Sequence, residues 1–285
     1  MSTADTHSSM TSLLRVGAGF QLAQVDPDST PGYAGDKEQG EEDLQSSAER
    51  MSDLQERLYA ASTVDPATPA VLLVLQAMDT AGKGGIARYV IGSVDPQGVS
   101  IAAFKKPTPL ELRHDFLWRI EKKVPASGMI GLFDRSHYED VLIGKVRSLA
   151  PAAEIERRYG AINEFEARLV ENGTHLIKVM LHISPEEQRD RLAERLERPD
   201  KHWKYNPGDI DERELWPHYM DAYQTVFERT STELAPWHVV PANKKWFSRL
   251  AVQRLLLETL ERIDPQWPEA DFDVEHEKAR LAASS

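Results

Sequence analysis

The chain contains no cysteine. That excludes disulfides and thiolate metal sites, and it fits a reducing, cytoplasmic setting. No run of eighteen apolar residues occurs, so no membrane-spanning helix is expected. The chain does not open on a charged stretch followed by an apolar one, and no secretory signal is read there. Its nine histidines are scattered, without an HExxH or comparable spacing, so no zinc site is read. No basic–aromatic nucleic-acid motif stands out, and a formal net charge of −12 argues against duplex DNA as the main partner.

What is present is a 285-residue chain, 41% hydrophobic, long enough for one large α/β domain carrying an insertion. Its charge is uneven. Residues 1–50 hold nine acids against three bases, and residues 261–285 hold seven against three. Residues 101–150 hold nine bases against six acids. An anionic ligand feels the local field of a cleft, so the net charge does not exclude one. Acidic ends also serve as ordinary solvated surface.

Residues 1–35 read as a flexible N-terminal segment, small and polar at first and rich in Asp, Pro, Gly and Ser from 26 onward. Leu44, Ala48, Met51, Leu54 and Leu58 recur at spacings of three and four, which predicts a helix with one apolar stripe. Val71 to Leu75 is a continuous apolar run between turn signals, the pattern of a buried parallel strand. Four more strands are expected, over Val99 to Phe104, Met129 to Phe133, Leu176 to Ile183 and Trp237 to Val240. Helical patterns lie between them, which predicts a five-stranded parallel sheet covered on both faces. Residues 184–235 read as charged helices around a Pro- and Gly-broken hinge, a lid inserted in a catalytic domain spanning 36–265. Residues 266–285 form an acidic tail.

The first strand runs into Gln76-Ala77-Met78-Asp79-Thr80-Ala81-Gly82-Lys83-Gly84-Gly85, and a helical segment follows. A Gly-rich turn between strand and helix cradles phosphate with backbone amides, here Ala81 to Gly85, and Lys83 adds a point charge. The general P-loop pattern is broken twice. Ala77 replaces its first Gly, and Gly84 replaces the hydroxyl residue that holds magnesium. Carboxylates must then hold any metal, and Asp79 and Asp134 are the candidates. Asp134 ends an apolar strand, although Ser136, Tyr138 and Glu139 after it also suit a helix cap.

Phosphoryl transfer needs positioning and charge neutralisation more than covalent chemistry. Arg135 follows Asp134, and Lys105 and Lys106 follow the second strand. Strand C-termini open on the ligand side of a parallel sheet, so these cations are expected to share one crevice with Lys83. Lys145 and Arg147 would extend the path. Arg191, Arg195 and Arg198, at spacings of four and three, share one helical face in the lid, with Lys201 and Lys204 beyond. Interleaved Glu187, Asp190, Glu194 and Glu197 equally suit a salt-bridged exposed helix. An ATP-dependent nucleoside monophosphate kinase, or a non-catalytic sensor of nucleotide or polyphosphate, shares many of these features.

From about Arg15 to about Arg262 the chain resembles the polyphosphate kinase 2 family, and within it the subgroup that phosphorylates both AMP and ADP. The resemblance is carried by LQAMDTAGKGG (75–85), DPQGV (95–99), HDFLWR (114–119), FDRSHYEDVL (133–142), NGTHLIKVMLHIS (172–184), KHWKY (201–205), WPHYMDAY (216–223), APWHVVPA (235–242) and KWFSRL (245–250). It implies a P-loop kinase-like three-layer α/β/α fold with a helical lid. It also implies inorganic polyphosphate and adenine nucleotides as substrates, Mg2+ or Mn2+ as metal, and a homodimer or homotetramer. Asp79 and Lys83 fall in the phosphate-loop motif, Asp134 and Arg135 in the second acidic motif, and Lys105, Arg195 and Lys201 in the channel and lid. The family commonly carries Asn at Asp134 and Asp at Asn243. An acid at 134 would bind metal more strongly or repel the anionic substrate, and Asn243 would alter adenine or lid contacts.

Overall fold

The computed structural model describes residues 9–284. Five strands form one sheet: β1 (Ala70–Ala77), β2 (Val99–Ala103), β3 (Ile130–Asp134), β4 (Thr174–His182) and β5 (Trp237–Pro241). Their order is β2-β3-β1-β4-β5, and every pairing is parallel. The helices are α1 (Met10–Leu14), α2 (Lys37–Ser62), α3 (Lys83–Tyr89), α4 (Trp118–Glu121), α5 (Ile143–Val146), α6 (Ala152–Glu171), α7 (Pro185–Glu197), α8 (Gly208–Arg213), α9 (Trp216–Thr230), α10 (Lys245–Ile263) and α11 (Val274–Ala283). The expected strands are all present, within one or two residues at each end.

The alternation of β1 divides the core. Val71, Leu73 and Leu75 pack with Met51, Leu54 and Leu58 of α2 and with α3 and α10. Leu72 and Val74 point the other way, into a cluster with Tyr159, Ile162 and Phe165 of α6 and Tyr223, Val226 and Phe227 of α9. Because strand side chains alternate, one apolar run buries both faces and yields three layers. The chain order turns back beside β1, which places the ends of β1 and β3 next to each other: Leu75 pairs with Asp134.

Two boundaries differ from the sequence expectation. The N-terminal segment read as flexible over 1–35 is packed from its first turn, and residues 1–8 lie outside the described residues. Ser9 caps α1, and Met10, Leu14, Val16 and Leu22 are buried. Glu258 accepts from the Met10 and Thr11 amides at 2.7 and 3.0 Å. The Val16 amide donates to Trp237 at 2.8 Å, and Arg15 makes an antiparallel bridge with His238. An edge strand leaves backbone groups unpaired, and this segment covers them along β5. The lid is also shorter than 184–235. Helix α9 buries Tyr219, Ala222, Tyr223, Val226 and Phe227 and so belongs to the core layer. Of this segment, α7, the turn at Pro199–Lys204 and α8 supply residues beside the ends of β1 and β3, among them Arg191, Arg195, Lys201 and Asp209. The acidic tail contains α11, which has no buried residue.

Candidate active site

The loop between β1 and α3 turns through two left-handed residues, Thr80 at φ 68° and Gly82 at φ 119°. The Ala81, Gly85 and Ile86 amides are used inside the turn. Those of Gly82, Lys83 and Gly84 have no hydrogen-bond partner among the described residues, so three consecutive N–H donors remain available to phosphate oxygens. A Cβ added at Gly84 would meet nothing within 4 Å, so no steric conflict keeps a hydroxyl residue out of that position. The Lys83 ammonium donates to the Ala77 carbonyl oxygen at 3.2 Å, which holds it over the loop.

Beside the loop, Arg135 donates to Asp79 Oδ1 at 2.8 Å and approaches Glu139 at 3.7 Å. Arg135 sits in the left-handed region at φ 64°, with its amide bonded to the Leu75 carbonyl. Non-glycine residues tolerate that backbone only where their surroundings fix it. Burial opposes the Arg135 charge, but the Glu139, Asp79 and Asp134 carboxylates outweigh it and raise the guanidinium above its ordinary value. Burial raises Glu139, against the pull of Arg135 and Lys83.

The segment after Arg135 is fixed by a buried polar cluster. Glu166 of α6 contacts His137 Nε2 at 3.2 Å, accepts from the Tyr138 hydroxyl at 2.7 Å and pairs with Lys178 of β4 at 2.6 Å. Lys178, which is 0% exposed, also donates to Tyr138 Oη and to the Thr230 carbonyl. Burial alone would push the Glu166 carboxyl up, but Lys178 and His137 bring it below the ordinary range. The ion pair therefore ties β4, α6 and α9 to the strand end that carries Asp134 and Arg135.

The loop opens into a cleft of about 780 Å3. Eleven lysines and arginines line it, against four carboxylates. Asp79, Ala81, Gly82, Lys83, Gly84, Gly85, Lys105, Lys106, Asp134, Arg135, Arg195, Lys201 and Lys204 are brought together there, as the strand-end argument anticipates. Lys145, Arg147 and Arg198 are not. Lys145 bonds Thr225 at 3.0 Å, Arg147 pairs with Glu212 at 3.0 Å, and Arg198 pairs with Glu194 and Asp200. Helix α7 ends at Glu197, and Arg198 turns to extended backbone, which carries it off the shared face.

Arg191 does not face an exposed lid surface. It is buried and donates to the carbonyl oxygens of Thr80, Ala242 and Asn243 and to Glu187. Asn243 lies outside the lining of the cleft. Its amide accepts from the Ser184 backbone N–H and donates to Asp28, so it joins the start of α7 to the N-terminal segment. Arg88, Lys245, Arg249 and Asp209 line the cleft and were not singled out from the sequence. Arg249 stands among Lys245, Ser248, Gln253 and Arg254 on α10, so no sequence signal separates it from ordinary helix-surface residues.

A family profile described as polyphosphate kinase 2 matches residues 34–268. The chain belongs to the polyphosphate kinase 2 family. It is 45% identical over 252 residues to a Meiothermus ruber protein named AMP/ADP-polyphosphate phosphotransferase, covering 88% of this chain and 92% of that relative. It is 40% identical to the ADP-polyphosphate phosphotransferase of Rhodopseudomonas palustris, covering 91% and 92%. The crystal structure of polyphosphate kinase 2 from Arthrobacter aurescens TC1 superposes with a TM-score of 0.94, at 58% identity and 98% coverage of both chains. The fold is thus that of the polyphosphate kinase 2 family, and the protein is a phosphotransferase of that family.

Proposed function

We propose that the protein transfers the terminal phosphoryl of inorganic polyphosphate to AMP and to ADP, reversibly, with Asp79, Lys83, Asp134 and Arg135 at the reacting centre. The observation that carries this reading is the excess of cations in a cleft continuous with the phosphate loop. A long polyanion fills such a cleft, whereas an ATP donor has only three phosphates to offer it. The relatives' names, which join polyphosphate to AMP or ADP, support the same substrates.

In this reading an oxygen of the acceptor's terminal phosphate attacks the terminal phosphorus of polyphosphate in line. The bond to the bridging oxygen breaks, and polyphosphate leaves one unit shorter with that electron pair. The attacking oxygen is already anionic at neutral pH, so no general base is required. The free amides of Gly82 to Gly84 and the Lys83 ammonium offset the charge spread over the transferred group. Arg135, held by Asp79, clamps it. Lys105, Lys106, Arg195, Lys201 and Lys204 track the polyphosphate. The overhanging lid excludes water, the competing nucleophile.

The proposal includes Mg2+ or Mn2+. Asp79 and Asp134 are the hard oxygen donors beside the loop, and Asp79 keeps Oδ2 clear of its Arg135 bond. Among the described residues no group of three or more acidic or histidine side chains forms a ready cage. That suits magnesium, which takes a few carboxylates and completes its shell with phosphate oxygens and water. When bound, the metal would neutralise phosphate charge. Assembly as a homodimer or homotetramer belongs to the same proposal and is read by analytical ultracentrifugation.

The test sets donors against each other. With AMP as acceptor, long-chain polyphosphate plus magnesium is expected to yield ADP and ATP. A nucleoside monophosphate kinase would use ATP as donor instead and would be inhibited by polyphosphate.

A further inference from the structure

The end of the sheet away from the glycine-rich loop carries a notch. Strand β4 starts at Thr174 beside Ala70, but β5 joins it only at Lys178, opposite Trp237. Residues 174–177 of β4 therefore have no strand on that side. The Ala70 amide donates to the Gly173 carbonyl oxygen, so odd-numbered residues along β4 turn their backbone groups to β1 and even-numbered ones turn them away. Thr174 and Leu176 thus aim N–H and C=O into the notch, and neither has a backbone partner there among the described residues. Pro236, just before β5, has no N–H to offer the Leu176 carbonyl.

The notch widens into a cavity of about 350 Å3 between β4, the C-terminal half of α10 and the N-terminal segment. His238 lines it and is only 4% exposed. Its Nδ1 donates to the Lys178 carbonyl oxygen at 3.3 Å, which leaves Nε2 as an acceptor, and Nε2 is buried without a hydrogen-bond partner among the described residues. Burial holds this imidazole down to about 4, so it is neutral at pH 7. Buried polar atoms ordinarily find a partner, so this one points to a ligand. Glu233 is the single carboxylate in the lining, and Arg15 takes it up at 2.6 Å. The charge of Arg262, which lines the same cavity, is left uncompensated there. Burial, and then that charge, lower the neighbouring His175.

Each feature asks for a different part of one ligand. The Leu176 N–H and C=O form a strand edge, which pairs with a donor and an acceptor that adjoin on a planar ring. Nε2 of His238 accepts from a hydroxyl or an N–H. Arg262 takes an anionic group. The volume suits a compact molecule. A nucleobase, a ribose and a phosphate together carry all three complements. We propose that this cavity binds a mononucleotide, with the base edge on Leu176 and the phosphate at Arg262. Strand β1 alone rises about 23 Å between Ala70 at this end and Ala77 at the glycine-rich loop, so a nucleotide held here is not a reactant. The inference does not depend on which phosphoryl donor the reacting centre uses.

Pulsed hydrogen exchange on the full chain tests it, with AMP, GMP, UMP or inorganic phosphate added and peptides spanning residues 172–178 followed by mass spectrometry. A ligand at about ten times its Kd slows exchange of the amides it covers about tenfold. The unpaired Thr174 and Leu176 amides are expected to slow in this way with at least one of the three nucleotides, and not with inorganic phosphate at the same concentration. Two substitutions locate the effect. Arg262→Glu reverses the charge, and Leu234→Trp fills the cavity from a position that is 60% exposed, so the fold tolerates it. Each is expected to abolish the slowing at 172–178 while phosphoryl transfer and exchange at Gly82, Lys83 and Gly84 stay as in wild type. No slowing with any nucleotide, equal slowing by inorganic phosphate alone, or slowing that survives both substitutions overturns the assignment.

Discussion

The Arg191 guanidinium donates to the Thr80 carbonyl oxygen at 3.0 Å, so α7 braces the glycine-rich loop between β1 and α3. The same side chain reaches Ala242 at 2.7 Å and Asn243 at 2.9 Å, and Gln188 of α7 holds the Asp79 carbonyl at 3.1 Å. Arg191→Leu strands these carbonyls and the Glu187 carboxylate. A loss of about 2–4 kcal/mol is expected in urea unfolding, with kcat falling more than KM rises. Arg191→Lys is expected to recover little of it, since one ammonium cannot reproduce a planar fork spanning four acceptors.

Lys83→Ala and Asp79→Ala test the reacting centre. Each is expected to lower the transfer rate about a hundredfold or more, because the Lys83 ammonium is a donor aimed at developing charge and Asp79 holds Arg135 and is the proposed metal ligand. Both residues are partly exposed to the cleft, so circular dichroism and the melting temperature should stay close to wild type. Near-normal turnover in either variant would refute their role.

Lys178→Met tests the buried cluster. It leaves the Glu166 carboxylate, itself 1% exposed, without its countercharge. Breaking a buried pair in this way costs about 3–5 kcal/mol. The double variant Lys178→Met with Glu166→Gln should lose less than the sum of the two single changes in a double-mutant cycle. Simple additivity would mean that the pair is not coupled.

Asp209 gives a pH dependence. Burial first, and then the nearby Asp79 charge, push its carboxyl up to about 6 from an ordinary value of 3.8. The unfolded chain gives up this proton at lower pH than the fold does, so ionised Asp209 weakens the fold. The penalty is complete above about pH 6 and vanishes below about pH 4. Acidification through that window should therefore relieve it. Asp209→Asn should flatten this part of the stability curve and stabilise the protein at pH 7 by about 1–2 kcal/mol. Thermal unfolding between pH 4 and 8 provides the check, and a variant less stable than wild type at pH 7 would contradict it.

The sheet was legible because its strands are apolar runs bounded by turns. The glycine-rich turn between β1 and α3 was legible because Gly82, Lys83, Gly84 and Gly85 closely follow one of them. Asp134 and Arg135 were readable as a strand end, and register brings that end to β1. Other features depend on contacts between distant segments. Lys178 sits within an apolar strand, where spacing shows no partner; Glu166, twelve residues earlier, meets it only through packing of α6 on β4. Asp209 and Arg249 reach the cleft from the lid and from α10. Spacing placed Arg191, Arg195 and Arg198 on one face, but spacing cannot tell which way a face points or that the helix stops at Glu197. The packed N-terminal segment was missed because its composition is that of a loop, and only the open edge of β5 supplies the reason for its order.

The measurement that bears most directly on the function is the origin of the transferred phosphate. The protein is incubated with 32P-labelled polyphosphate, magnesium and unlabelled AMP or ADP, and the nucleotides are separated. The account predicts label in the γ-phosphate of ATP made from ADP, and in both the β- and γ-phosphates of ATP made from AMP. Unlabelled nucleotides throughout, with ADP appearing only when ATP is supplied together with AMP, would contradict it.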